Sequence, residues 1–281
     1  MTIAIGWIRQ VNSCQELIIA SDSRLCGGHR WDQCPKILTM PRSDCAICFA
    51  GSTVYAYPMM MQVYFAAGEY SKLADRAMDI VEFNGYVLKN INHLYRAIYD
   101  SANPKDIFEN EFIFGGYSWV EKQFKLWRYH YDKHDKRFSK FSSSGLFHGK
   151  KFGEIVFAGD KKREFVNELY MILSAKYGKA LDENNGKGYD MEPLEALISL
   201  LRKSDKDDTI GGAPQIVKIY QHMNCRPVGV YWPFKKEDQR QNRTLLGRKL
   251  FEFEHTDYWF MNPETLRTEP NLFINEVDRI I

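Results

Sequence analysis

A chain of 281 residues is long enough for one large domain or two small ones with a sizeable buried core. Hydrophobic residues make up 44% and charged residues 26%, an ordinary soluble balance. The net charge of +2 gives no bulk attraction to nucleic acid. Residues 54–68 form the longest apolar stretch, but Pro58 and Gln62 interrupt it and it is too short to span a bilayer. The N-terminus lacks the basic region of a secretory signal, and the six cysteines are scattered, so a cytoplasmic protein with reduced thiols and no membrane partner is expected.

In chain order, residues 2–9 and 17–21 read as two strands joined by the polar turn Val11-Asn12-Ser13, an antiparallel hairpin. A second pair follows at 36–40 and 44–50 across Pro41-Arg42-Ser43. Cys45 and Cys48 fall in that last strand, where positions three apart face opposite sides, so they are not expected to share a zinc ion. Gly51-Ser52-Thr53 then opens a helical region of two helices, roughly 53–69 and 72–101, ended by Pro104. Residues 111–118, 122–131 and 136–143 read as a meander. The dense His130, Asp132, His134 and Asp135 have the composition of a hairpin turn rather than a metal site.

A short strand at 155–158 meets Gly159-Asp160 and a helix of about 161–178, and a second helix runs from about 191 to 203. The basic run Lys161-Lys162-Arg163 reads as a solvated face, and Met59-Met60-Met61 as soft core filler. Gly211-Gly212-Ala213-Pro214 leads into a strand at 215–220. Residues 225–281 hold strand candidates such as Leu250-Phe251-Glu252-Phe253 but no clear order. Strands, two helices, strands, two helices and strands suit an α+β sandwich, with two antiparallel sheets face to face and helices outside. Without repeats or a low-complexity linker, a single domain over 1–281 is expected, with a divergent extension from about 225.

Chemistry centres on Thr2. Removal of Met1, which a small second residue permits, would leave an α-amine on the carbon that bears a hydroxyl, one of the few ways to activate a threonine alcohol. Retention of Met1 would instead lock that nitrogen in a peptide bond. Three patterns line up with Thr2: Ala20-Ser21-Asp22-Ser23-Arg24 after the second strand, Pro35-Lys36-Ile37-Leu38 at the third, and Phe49-Ala50-Gly51-Ser52 at the strand-to-helix junction. In order and placement these resemble the proteasome β-subunit family of N-terminal nucleophile hydrolases, which includes bacterial proteasome-like peptidases. Phe157-Ala158-Gly159 and Gly211-Gly212 are similar to that family's later glycine landmarks. The likeness is clear over residues 2–52, looser over 110–220 and absent beyond 225.

The resemblance implies the four-layer αββα fold of those hydrolases and a threonine peptidase without cofactor or metal. It implies Thr2, Asp22, Lys36 and Gly51 as catalytic residues and Ser23, Arg24 and Asp207 as support. It also implies a peptide or protein substrate, a homo-oligomeric ring and an ATP-dependent unfoldase partner. Two features depart from the pattern: Ser52-Thr53-Val54-Tyr55 follows the junction glycine, and Ile210 stands where the family carries a serine.

A lysine ammonium beside the threonine oxygen lowers its pKa, and that lysine needs a buried carboxylate, roles suited to Lys36 and Asp22. The α-amine would shuttle the proton and the Gly51 N–H would hold the oxyanion. Cys26 and Cys34 flank the expected site as candidate pocket walls. A small-molecule amidase and a non-catalytic scaffold or regulatory subunit remain alternatives.

Overall fold

The computed structural model describes residues 2–26, 29–99, 104–147, 150–178, 188–233 and 242–270. Strands β1 (Ile3–Val11) and β2 (Cys14–Ser21) form the expected hairpin, turning at Asn12 with φ 54°. Alternation within them splits two cores. Ile3, Ile5 and Trp7 of β1 and Ile18 and Ala20 of β2 face one apolar cluster, while Ala4, Leu17 and Ile19 face another.

One sheet grows around this hairpin. It takes β10 (Ser144–Phe147), β11 (Lys150–Gly159), β12 (Gln215–Tyr220), β13 (Asn224–Tyr231), β14 (Arg243–Leu245) and β15 (Arg248–Lys249) in the order β10-β11-β1-β2-β12-β13-β14-β15. Beside β13 runs β16 (Phe260–Asn262), parallel to it, and β17 (Arg267–Glu269) pairs with β16. The second sheet is antiparallel, in the order β5 (Ile37–Thr39), β6 (Cys45–Ala50), β7 (Glu111–Ser118), β8 (Gln123–Asp132) and β9 (Arg137–Ser142). A small ribbon pairs β3 (Leu25–Cys26) with β4 (Arg30–Trp31).

The middle cluster joins Ala4, Leu17, Ile19 and Val217 of the first sheet to Ala46, Cys48, Ile113 and Leu126 of the second. Helices α5 (Lys162–Tyr177) and α6 (Glu192–Lys203) bury Phe165, Leu169, Leu173, Leu194, Leu197 and Leu201 against the other face of the first sheet. Helices α1 (Thr53–Glu69) and α3 (Ile80–Arg96) do the same for the second sheet, with Met60, Val63, Phe83 and Val87. The architecture is α+β with antiparallel pairing throughout both large sheets except at β16. Cys45 and Cys48 do lie on opposite faces of β6, one in each cluster.

Three expectations change. The helix expected over 72–101 is divided: α2 covers only Ser71–Ala74, the chain turns at Arg76 (φ 59°), and Asp79 caps α3 by accepting the Val81 N–H. Pro104 opens a short helix, α4 (Pro104–Phe108), as a first-turn proline can, rather than closing one. Beyond residue 225 the chain is ordered where described: it extends the first sheet through β13 to β17, while Leu250–Phe253 lies outside any strand. The His130–Asp135 segment is the end of β8 and its turn. Among the described residues no group of three metal-ligand side chains occurs, and no helix is long and apolar enough to cross a membrane.

Candidate active site around Thr2

Thr2 enters β1, and strand pairing brings three other chain segments to it. The β1–β2 register sets Ala4 opposite Ser21, so Asp22, one residue past β2, lies beside the start of β1. Lys36 precedes β5 on the facing sheet. The β1–β11 register sets Ile3 opposite Gly159, which places Asp160 next to Thr2. Thr2, Asp22 and Lys36 are all buried.

Lys36 Nζ donates to Thr2 Oγ1 at 2.6 Å and to Asp22 Oδ1 at 2.8 Å. Asp22 Oδ1 also accepts the Ile3 N–H at 3.2 Å, while Oδ2 accepts the N–H groups of Arg24 (3.1 Å) and Gly211 (3.2 Å). The buried carboxylate therefore receives one cationic and three amide donors. Burial pushes the Asp22 carboxyl above its ordinary value, and the Lys36 ammonium and the amides of Ile3 and Arg24 oppose that push. Because Lys36 donates to Oγ1, the hydroxyl proton of Thr2 is directed elsewhere, and its oxygen is polarised by a charge held in low dielectric.

The other side of Thr2 belongs to Asp160. Its Oδ1 accepts the Thr2 N–H at 2.7 Å, its Oδ2 accepts the Thr209 hydroxyl at 2.7 Å, and its N–H donates to the Thr2 carbonyl at 3.2 Å. Gly159 makes this approach possible. Its φ is +110°, and a Cβ there would overlap the Thr2 carbonyl oxygen.

Behind the three residues sits a second layer of polar contacts. Gln215, fully buried at the head of β12, accepts the Lys36 N–H at 2.9 Å and donates to the Cys34 carbonyl at 2.6 Å and to Ser23 Oγ at 3.1 Å. Ser23 Oγ in turn donates to the Ala213 carbonyl. Arg24 grips Asp32 with two bonds (2.6 and 2.9 Å) and donates to the carbonyls of Asp205 and Asp208. Its guanidinium holds the Asp32 carboxyl below the usual range. The turn between β14 and β15 reaches this layer: a Cβ on Gly247 would collide with Ser23.

Of the expected residues, Thr2, Asp22 and Lys36 converge, with Ser23 and Arg24 flanking Asp22. Gly51 lies at the end of β6 with φ +129°, where a Cβ would fall 2.5 Å from Asn110 Oδ1. It lines an open cleft of about 500 Å³ together with Gly159, Asp160, Glu111, His130 and Lys162. Asp207 is elsewhere: its side chain is 87% exposed and pairs with Arg30 at 3.1 Å on the surface. The polar neighbour one residue from the unusual Ile210 is Thr209. Cys34 is buried and Cys26 Sγ leans on the Thr209 carbonyl at 3.5 Å. Burial pushes the Cys48 thiol up to about 12. Met1 lies outside the described residues.

The sequence reading missed Asp160 and Gln215. Asp160 had a signal, a carboxylate directly after a strand-ending glycine. Gln215 had none, since a polar residue at a strand entry is commonplace.

No protein-family model matches the chain, and no curated protein matches it. Solved structures do. The Anbu (Gly-1) mutant from Hyphomicrobium sp. strain MC1 shares 14% identity at a TM-score of 0.53, over 80% of this chain and 85% of that one. Anbu (ancestral beta-subunit) from Yersinia bercovieri shares 14% at a TM-score of 0.54, over 80% and 86%. At such identity the likeness is one of fold alone, shared with these Anbu structures. The expected membership of the proteasome β-subunit family is corrected accordingly. Short motifs at strand ends follow the fold's geometry, and neither a family model nor a curated relative supports membership.

Proposed function

We propose that this chain is a threonine-type N-terminal nucleophile hydrolase that cleaves amide bonds, peptides foremost, once Met1 has been removed. The observation that carries the reading is the buried chain Asp22–Lys36–Thr2, with Lys36 Nζ 2.6 Å from the candidate nucleophile and 2.8 Å from its carboxylate partner.

In the proposed cycle, Thr2 Oγ1 attacks the substrate carbonyl carbon as its proton passes to the Thr2 α-amine. The Gly51 N–H receives the developing oxyanion, a donor of the kind worth about 3–4 kcal/mol of barrier. Collapse breaks the C–N bond, and the α-ammonium gives its proton to the departing amine. Water then adds to the ester, and release of the acid restores Thr2. Lys36 stabilises the oxygen throughout, and Asp22 keeps Lys36 in place.

The proposal extends to a four-layer αββα arrangement in one domain. It extends also to homo-oligomeric rings fed by an unfoldase in the cytoplasm. The test is hydrolysis of fluorogenic peptide amides and of small amides by the purified chain and by Thr2→Ala. Peptide cleavage that vanishes in the variant supports the reading. Cleavage of small amides alone moves it to an amidase, and activity that survives in Thr2→Ala refutes it.

A further inference from the structure

Asp160 is the carboxylate that touches the Thr2 nitrogen itself. Its placement is built in: β11 ends at a glycine whose φ and lack of a side chain let the backbone close on Thr2. The Asp160 N–H locks onto the Thr2 carbonyl, and Thr209 fixes the outer carboxylate oxygen. Resting on the reading of Thr2 as the nucleophile, we propose that Asp160 is the positioning residue for the released α-amine, and that by stabilising its protonated form it confines hydrolysis to the alkaline side of neutrality.

The other charged groups around Thr2 do not cancel this effect. Lys36 acts on Oγ1 rather than on the nitrogen and is paired with Asp22. Lys161, beside Asp160, is tied to Glu164 (3.4 Å) and Asp208 (3.6 Å). Arg24 is tied to Asp32, and Lys162 to Glu111. The Cys48 thiol, buried near Lys36 and Asp22, stays neutral at working pH. At 2.7 Å, Asp160 is the carboxylate in direct contact with the nitrogen. An opposite charge so near raises an amine's pKa from its ordinary ~7.7–8.0, and because Asp160 is itself exposed, solvent screening holds the rise to about one unit. The amine must be neutral to take the proton from Oγ1, so the rate climbs only as pH passes that raised value. Asp160 also aims the amine, since the bond fixes the nitrogen's rotation about the backbone.

The experiment uses chains released at Thr2 from a cleavable N-terminal fusion, so that the amine exists whether or not cells remove Met1. Competitive acylation of the N-terminal peptide across pH gives the amine pKa, and fluorogenic turnover gives the rate profile. The wild-type amine is expected to titrate above 8, and Asp160→Asn to titrate about one unit lower, with the rate profile moving by the same amount. A wild-type amine at or below its ordinary value overturns the proposal, even if Asp160→Asn fails to fold, as does an equal value in the two proteins. A raised amine without any hydrolysis would sustain the role of Asp160 and sink the hydrolase reading. Hydrolysis with an ordinary amine would do the reverse.

Discussion

Lys36→Met removes the cation from the centre of the site while keeping most of the side-chain volume. Asp22 keeps three amide donors, from Ile3, Arg24 and Gly211, but loses its countercharge while staying fully buried. Breaking one half of a buried pair costs about 3–5 kcal/mol, because the remaining charge is uncompensated. The pH dependence follows from the same carboxyl. Burial already raises the Asp22 pKa, with Lys36 opposing, so the variant's folded state holds the proton to higher pH than wild type does. An acid whose folded pKa exceeds its unfolded value of ~3.9 binds more protons in the native state, so its contribution to stability falls as pH rises through that window, by at most about 1.4 kcal/mol per unit. Urea unfolding of both proteins should therefore show a small penalty near pH 4 that grows to about 3–5 kcal/mol by pH 8. A penalty that is flat with pH, or below about 1 kcal/mol at pH 8, would refute the account of a charged, buried pair.

Gly159→Ala forces a side chain into a left-handed backbone and into the Thr2 carbonyl; strain alone costs about 1–3 kcal/mol, and displaced Thr2 should lose turnover by about 100-fold. Thermal melts and peptide hydrolysis check both figures. Gln215→Leu strands the Lys36 N–H and the Cys34 carbonyl in the core, and unfolding should register a loss of about 2–5 kcal/mol with a fall in kcat rather than a rise in KM. Asp207→Asn should change stability by no more than about 0.5 kcal/mol and leave turnover intact, since its partner is a surface arginine; a large loss of rate would restore the supporting role expected from the motif.

Much of this was readable in the chain because period-two alternation carries both the strands and their faces. Ile3, Ile5 and Trp7 against Ala4 already separate two buried sides, and the β1–β2 turn follows from Asn12-Ser13. Thr2, Asp22 and Lys36 could be matched because each sits at a strand end, where register alone decides its neighbours. Asp160 could not be matched so directly: its approach depends on β11 pairing with β1 across more than 150 residues, a register that no local pattern encodes. Asp207 misled for the opposite reason. Spacing along a loop says nothing about direction, and the chain through 205–209 turns Thr209 toward Asp160 while Asp207 points to Arg30. The division of the 72–101 helix rested on the Asp79 cap, a short-range signal submerged in a long helical pattern.

Intact-mass spectrometry after exposure to a threonine-directed epoxyketone tests the central claim most directly. The account predicts a species lacking Met1 that gains a single adduct, mapped to Thr2, and no adduct on Lys36→Met. A chain that retains Met1 and stays unmodified, or an adduct that forms equally well without Lys36, would contradict it.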